Sequence, residues 1–159
     1  MNDYNLNTNW KLWFHSINET NWNIESYKQI LEINNLYDLN ILIQTIESNH
    51  LQNAMFFIMR NGILPMWEYP DNREGYSLSF KVPASDLKQN WDKILIKILT
   101  EEILNDKTKY SEINGLSISP KREFNIIKIW LKNDINSEFI KEYPPYFVKD
   151  KSIYKKNMS

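Results

Sequence analysis

Apolar residues along this chain recur with period two in short runs and with helical period in two longer stretches. Lys11–His15 and Ser26–Ile33 read as strands, joined through a polar loop, Glu19–Asn23, that carries Trp22. Leu36, Leu39, Ile43 and Ile46 stand at helical spacing and predict a helix over 36–46. Ala54–Met59 is a compact apolar run, read as a buried strand, and Asn61-Gly62 is a turn. Gly75–Val82 alternates through Tyr76, Leu78, Phe80 and Val82, a half-buried strand. Ser85 is placed to cap the strongest helix, about Asp86–Leu104, whose apolar stripe is Leu87, Trp91, Ile94, Leu95, Ile98 and Leu99. Gly115–Ser119 and Phe124–Leu131 read as strands around the basic turn Pro120-Lys121-Arg122. Ser137–Glu142 reads as a short helix, stopped by Pro144-Pro145, with Tyr146–Val148 as a last strand. The sum is an α+β chain: a mostly antiparallel sheet with helices on one face.

With 159 residues and no internal repeat, one domain is expected. Its expected limits are a loose, flexible polar segment at 1–9, a folded domain over 10–148 and a mobile basic tail at 149–159. Hydrophobic residues make up 42% and charged residues 25%, as in ordinary globular chains. A net charge of −1 speaks against broad binding along a nucleic-acid backbone, so a nucleic-acid ligand would be short and read locally. The absence of cysteine excludes a disulfide scaffold and thiolate metal sites, and fits a reducing compartment. His15 and His50 have no metal-ligand spacing, and no metal or cofactor is expected. The polar start does not read as a signal peptide, and no apolar run has membrane-spanning length. The abundance of Asn, Ile and Lys reads as the codon bias of an AT-rich genome.

The outlier is the aromatic content, six Trp and nine Tyr, more than packing alone demands. Gly62-Ile63-Leu64-Pro65-Met66-Trp67-Glu68 sets an indole beside a carboxylate just after a stiffening proline. A flat purine can stack on such an indole and give its N–H donors to the carboxylate. Two indoles can sandwich one base at roughly 1–3 kcal/mol per contact. A cationic ring gains more, because the indole face attracts cations. N7 methylation makes guanine such a ring. Glutamate accepting two guanine N–H groups adds roughly 1.5–3 kcal/mol. Lys121-Arg122 can hold phosphates. Taken singly, each feature has a plainer reading. Trp67-Glu68 can be a strand end, Trp130 and Trp91 core, Lys121-Arg122 a solvated hairpin tip, and His15 structural.

In order and spacing these residues resemble the mRNA cap-binding translation initiation factor 4E family. The likeness runs from about Trp10 to Leu131. It is carried by Asn9-Trp10-Lys11-Leu12-Trp13-Phe14, Trp22, Asp38-Leu39, the Gly62–Glu68 string, Trp91 and Ile127-Lys128-Ile129-Trp130. The resemblance implies a curved antiparallel sheet with helices on its convex face and the cap held in a slot on the concave face. It implies that Trp22 and Trp67 sandwich 7-methylguanine, that Glu68 accepts its N1 and N2 hydrogens, that the Trp67 backbone N–H bonds O6, and that Trp130 lies against the N7-methyl group. It implies a phosphate role for Lys121, with Arg122 adjacent. The family's second phosphate lysine aligns with Ile126, and Lys128, on the same strand face, is its substitute. A further basic position aligns near Tyr76, expected to meet a nucleotide beyond the cap guanine.

The helical side departs further. The family's partner-docking tryptophan in the first helix is Asn40 here, a leucine of the second helix is Asp92, and Leu36 and Ile96 keep apolar character. Loss of an aromatic anchor weakens the usual partner, since interface energy concentrates in such residues. The expected protein is a non-enzymatic, monomeric, cytoplasmic cap-binding factor in translation initiation. It is a divergent, trimmed member of the family, with a virus of AT-rich genome as one source and host cytoplasm as its place in that case. Its expected partners are capped mRNA and a scaffold-type initiation factor or inhibitor peptide of altered specificity, with no membrane. Three alternatives stay open: a repressor that sequesters caps, an aromatic-platform module for another flat ligand such as a sugar, and an interaction protein on a borrowed fold.

Overall fold

The computed structural model describes residues 4–157. Seven strands, β1 (Asn5–Ser16), β2 (Lys28–Asn35), β3 (Ala54–Arg60), β4 (Tyr76–Pro83), β5 (Ile113–Pro120), β6 (Phe124–Leu131) and β7 (Ser152–Lys156), form one curved sheet. Their order is β2-β1-β3-β5-β6-β4-β7, and every pairing is antiparallel. The helices are α1 (Leu36–Thr45), α2 (Ser48–Asn53), α3 (Pro70–Arg73) and α4 (Leu87–Leu99).

Residues that pair across antiparallel strands share a face, so each row of partners has one character. The row Leu12, Ile58, Leu116, Ile129, Leu78 is fully buried. It forms the main core with Leu39 and Leu42 of α1 and with Leu87, Trp91, Ile94, Leu95, Ile98 and Leu99 of α4, the stripe expected of that helix. The next row along faces the other way and reads Trp13, Phe57, Ser117, Lys128, Ser79, Ile153. The row on the other side of the buried one faces the same way as the Trp13 row and reads Met59, Gly115, Trp130, Ser77, Lys155. Among the described residues this concave face has no helix layer over it and buries a small cluster of Tyr27, Phe57, Met59 and Trp130. A Cβ on Gly115 would come within 2.6 Å of the Ile58 carbonyl oxygen, so glycine alone lets β3 and β5 approach beside Trp130.

The sequence reading needs correction at several places. Asn5–Asn9, expected to be loose, open β1 and pair at Asn5 with Asn35; residues 1–3 lie outside the described residues. Ser85 does not cap α4, because Ala84–Asp86 form a 3-10 turn and Asp86 precedes the helix. The helix stops at Leu99 rather than Leu104: Glu101 takes a left-handed φ of 63°, turning Ile103 and Leu104 back into the core. Ser137–Phe139 is a 3-10 turn, and Tyr146–Val148 is no strand; Phe147 instead buries its ring against Phe80. The lysine-rich tail, expected to be mobile, supplies β7. Tyr154 turns inward there, stacking on Tyr76 and donating to Asp134, while the lysines solvate an edge strand, where charge discourages further pairing. Helix α2 went unread because its capping box is Glu47 with His50, not the usual Ser or Thr with Glu.

Candidate functional site

The concave face holds a slot of about 620 Å³. Trp22, Trp67, Glu68, Trp130, Lys121 and Lys128 all line it, although they come from the β1–β2 loop, the β3–β4 connection, β6 and the β5–β6 turn. Arg122 stays exposed at that turn, outside the lining. Tyr76 is not in the slot. By strand parity it faces the helical layer, packed against the main core and stacked on Tyr154 at 5.4 Å; Ser77 holds the concave position. The expected contact of Tyr76 with a second nucleotide is therefore withdrawn.

Each indole is placed by different means. Trp22 is 46% exposed on its polar loop, and its ring lies flat on the His15 imidazole, with centroids 3.9 Å apart and planes 2° apart. His15 is fully buried, and its ring nitrogens sit 2.9 Å from the Ser16 and Asn21 carbonyl oxygens and 3.1 Å from Ser26 Oγ. One ring thus backs the indole and also ties the loop that carries it. The aromatic contacts continue from His15 to Tyr27, from Tyr27 to Phe57, and from Phe57 to Trp130. Trp130 is fixed in turn, its Nε1 donating to Ser117 Oγ at 2.8 Å.

Trp67 is 53% exposed and has no backing ring among the described residues. Its loop leaves β3 through Gly62, whose φ of 92° suits glycine. The loop is then clamped from below by the buried Asn72 of α3. The Asn72 amide nitrogen donates to Leu64 O and Met66 O, both at 2.9 Å. Asn114 of β5 donates to Asn72 Oδ1, and Asn157 donates to the Asn72 carbonyl.

The slot is electrically divided. Glu68 is the one carboxylate among its described lining residues; Lys121, Lys128 and Lys155 line it as well. Burial, with the Glu68 charge second, pushes the Tyr27 phenol up to about 12, so it is neutral at ordinary pH. Sequence reasoning missed His15, Tyr27, Asn72 and Lys155. Parity with Trp13 on β1 could have flagged His15 for the concave face; nothing local flags Asn72.

Leu36 and Asn40 lie on α1, Asp92 and Ile96 on α4, all on the helical side away from the slot. Leu36, Asn40 and Ile96 are exposed, as are Tyr37 and Ile41 beside them. Asp92 accepts from Lys88 at 2.9 Å, and Lys88 also donates to the Ile43 carbonyl at 2.6 Å, tying α4 to α1. Among the described residues no helix is long and apolar enough to cross a membrane.

A curved antiparallel sheet, helices on its convex side and, on its concave side, a slot lined among the described residues by three indoles, one carboxylate and three lysines define an α+β domain with an aromatic, charge-divided slot. The model of the eukaryotic initiation factor 4E family matches residues 5–144, and the chain belongs to that family. Eukaryotic translation initiation factor 4E of Saccharomyces cerevisiae is 24% identical over 135 residues, covering 81% of this chain and 62% of the yeast protein. The initiation factor 4E homolog of Acanthamoeba polyphaga mimivirus is 25% identical over 116 residues, 64% of this chain and 43% of that one. This chain therefore spans about three-fifths or less of the length of these curated relatives. Among solved structures, Schistosome eIF4E complexed with m7GpppG and 4E-BP superposes with a TM-score of 0.75 at 19% identity, over 86% of this chain and 76% of that one, a likeness of fold.

Proposed function

We propose that this protein binds the 7-methylguanosine cap at mRNA 5′ ends and acts in translation initiation, as a monomeric, non-enzymatic factor of the cytoplasm. Trp22 and Trp67 sandwich the methylated base, Glu68 accepts its N1 and N2 hydrogens, and Trp130 lies against the N7-methyl group. Lys121 and Lys128 hold the phosphates, with Arg122 within reach of the turn. The supporting observation is that six residues expected from four separate segments line one slot, in a chain of this family. Related support comes from the Schistosome protein, which was solved with m7GpppG and 4E-BP. The cationic base suits two indole faces, and the carboxylate answers the guanine edge.

Intrinsic tryptophan fluorescence tests this directly. 7-Methyl-GTP is expected to quench strongly and GTP weakly. Equal quenching by both, or none by either, rules the function out.

The helical face bears on the consequence of cap binding. Asn40 offers no aromatic anchor, and Asp92 is already paired with Lys88. A scaffold-type factor or inhibitor peptide docking there needs a matched, altered surface. The same observation favours a second reading, cap sequestration without a scaffold. Added to a cap-dependent translation extract, the protein stimulates in the first case and represses in the second.

A further inference from the structure

Strand β7 carries a cation into the slot from beyond residue 144, where the family match ends. Lys155 pairs with Ser77, and Ser77 with Trp130, so all three share the concave face. Lys128 stands on that face of β6, two strands from β7, which separates the two backbones by ~10 Å. Lys121 closes the group from the β5–β6 turn. Among the described residues none of the three is in an ion pair. Burial, and then the charges of Lys155 and Lys121, pull the Lys128 ammonium below the ordinary lysine range. Lys128 is half-buried and Lys121 and Lys155 are exposed; like charges gathered on one face oppose one another, and the sheet register keeps Lys128 and Lys155 there. A bound anion removes that opposition. Phosphate suits it, since each ammonium offers three donors as a compact charge.

We propose that Lys155 joins Lys121 and Lys128 in holding the phosphate chain attached to the bound base's nucleoside, and that the RNA leaves the slot over β7, the edge of the sheet. This rests on the cap-binding function above. It also links the two halves of the ligand, because Asn157, next but one to Lys155, donates to Asn72, which clamps the Trp67 loop.

The test compares Lys155→Gln with Lys156→Gln, whose side chain leaves β7 on the opposite face, paired with Tyr76. Both variants and the native protein are titrated with 7-methylguanosine and 7-methyl-GTP by fluorescence, and with inorganic tripolyphosphate by calorimetry. Lys155→Gln is expected to bind 7-methyl-GTP about tenfold more weakly, the loss of one charge-assisted bond. It is expected to hold the nucleoside to within about twofold, while Lys156→Gln matches the native protein. Its thermal midpoint is expected to stay level or rise, because a repulsion is relieved. Equal losses for nucleoside and triphosphate, a lowered midpoint, or identical behaviour of the two variants overturns the proposal. Failure of the cap function shows separately, as native protein that binds 7-methyl-GTP and GTP alike. In that case tripolyphosphate still decides the role of Lys155: weaker binding by Lys155→Gln than by Lys156→Gln supports it, and equal binding refutes it.

Discussion

The two walls of the slot expose similar areas of indole and are built in opposite ways. Trp22 is backed across one face by a buried ring, so a ligand meets a surface already fixed in plane. Trp67 has no ring behind it among the described residues; its backbone is held instead, by Asn72 reaching up to two carbonyl groups. Stacking constrains the side chain, and the amide clamp constrains the loop. Substitutions on the first wall should therefore cost binding gradually, whereas the second concentrates its function in Trp67 and its order in Asn72.

The sharpest break is Trp67→Ala. It removes a stacking face and its attraction for a cationic base, and affinity for 7-methyl-GTP should fall about 100-fold or more. Because the ring is half exposed and pairs with no other ring among the described residues, the thermal midpoint should move little. Titration and thermal unfolding of the same variant check both. Retained discrimination of the methylated base would mean that the sandwich is misassigned.

Glu68→Gln comes next. The amide can accept one guanine hydrogen but loses the charge, so a loss of about thirtyfold is expected. The loss should be larger for 7-methyl-GTP than for an analogue lacking the 2-amino group, and competition titrations compare the two. An equal loss for both would separate Glu68 from the guanine edge.

These first two residues were legible because their chemistry is contiguous. A proline, an indole and a carboxylate stand close together in Pro65–Glu68, and the resemblance to a known family supplied Trp22 and Trp130. The core was legible for the same reason, since the α4 stripe and the alternation of β4 and β6 are local periodicities. What supports the walls was not. His15 meets Trp22 through a loop, Asn72 meets Asn114 across 42 positions, and Lys155 reaches the slot only because β7 pairs with β4. Lysine density in the tail read as solvation, although on an edge strand it is compatible with order. Tyr76 failed through parity: one position on a strand separates the ligand face from the helical face.

Asn72→Ala tests the clamp. It strips the buried donors from Leu64 O and Met66 O and removes one of the two acceptors of Asn114, leaving it the Asp71 carbonyl. A stability loss of about 2 kcal/mol is expected, read from denaturant unfolding. Affinity should drop about tenfold, through a loosened Trp67. Unchanged binding at reduced stability would show that the loop holds its shape without the clamp and would erase the contrast between the walls.

The smallest effect belongs to the buttressed wall. His15→Ala removes a stacked ring worth ~0.5–1.5 kcal/mol and frees the loop it ties, so affinity should fall about fivefold. His15→Phe restores the flat ring but none of the contacts to Asn21 and Ser26. If stacking is what holds Trp22, Phe should recover binding to within about twofold of native. If the polar ties hold it, Phe should bind like Ala. Fluorescence anisotropy of each His15 variant, taken as the difference from the same variant carrying Trp22→Phe so that the other tryptophans cancel, resolves the two cases, since a loosened Trp22 depolarises. Native affinity and native anisotropy in His15→Ala would mean that Trp22 needs no support, leaving both walls dependent on their loops alone.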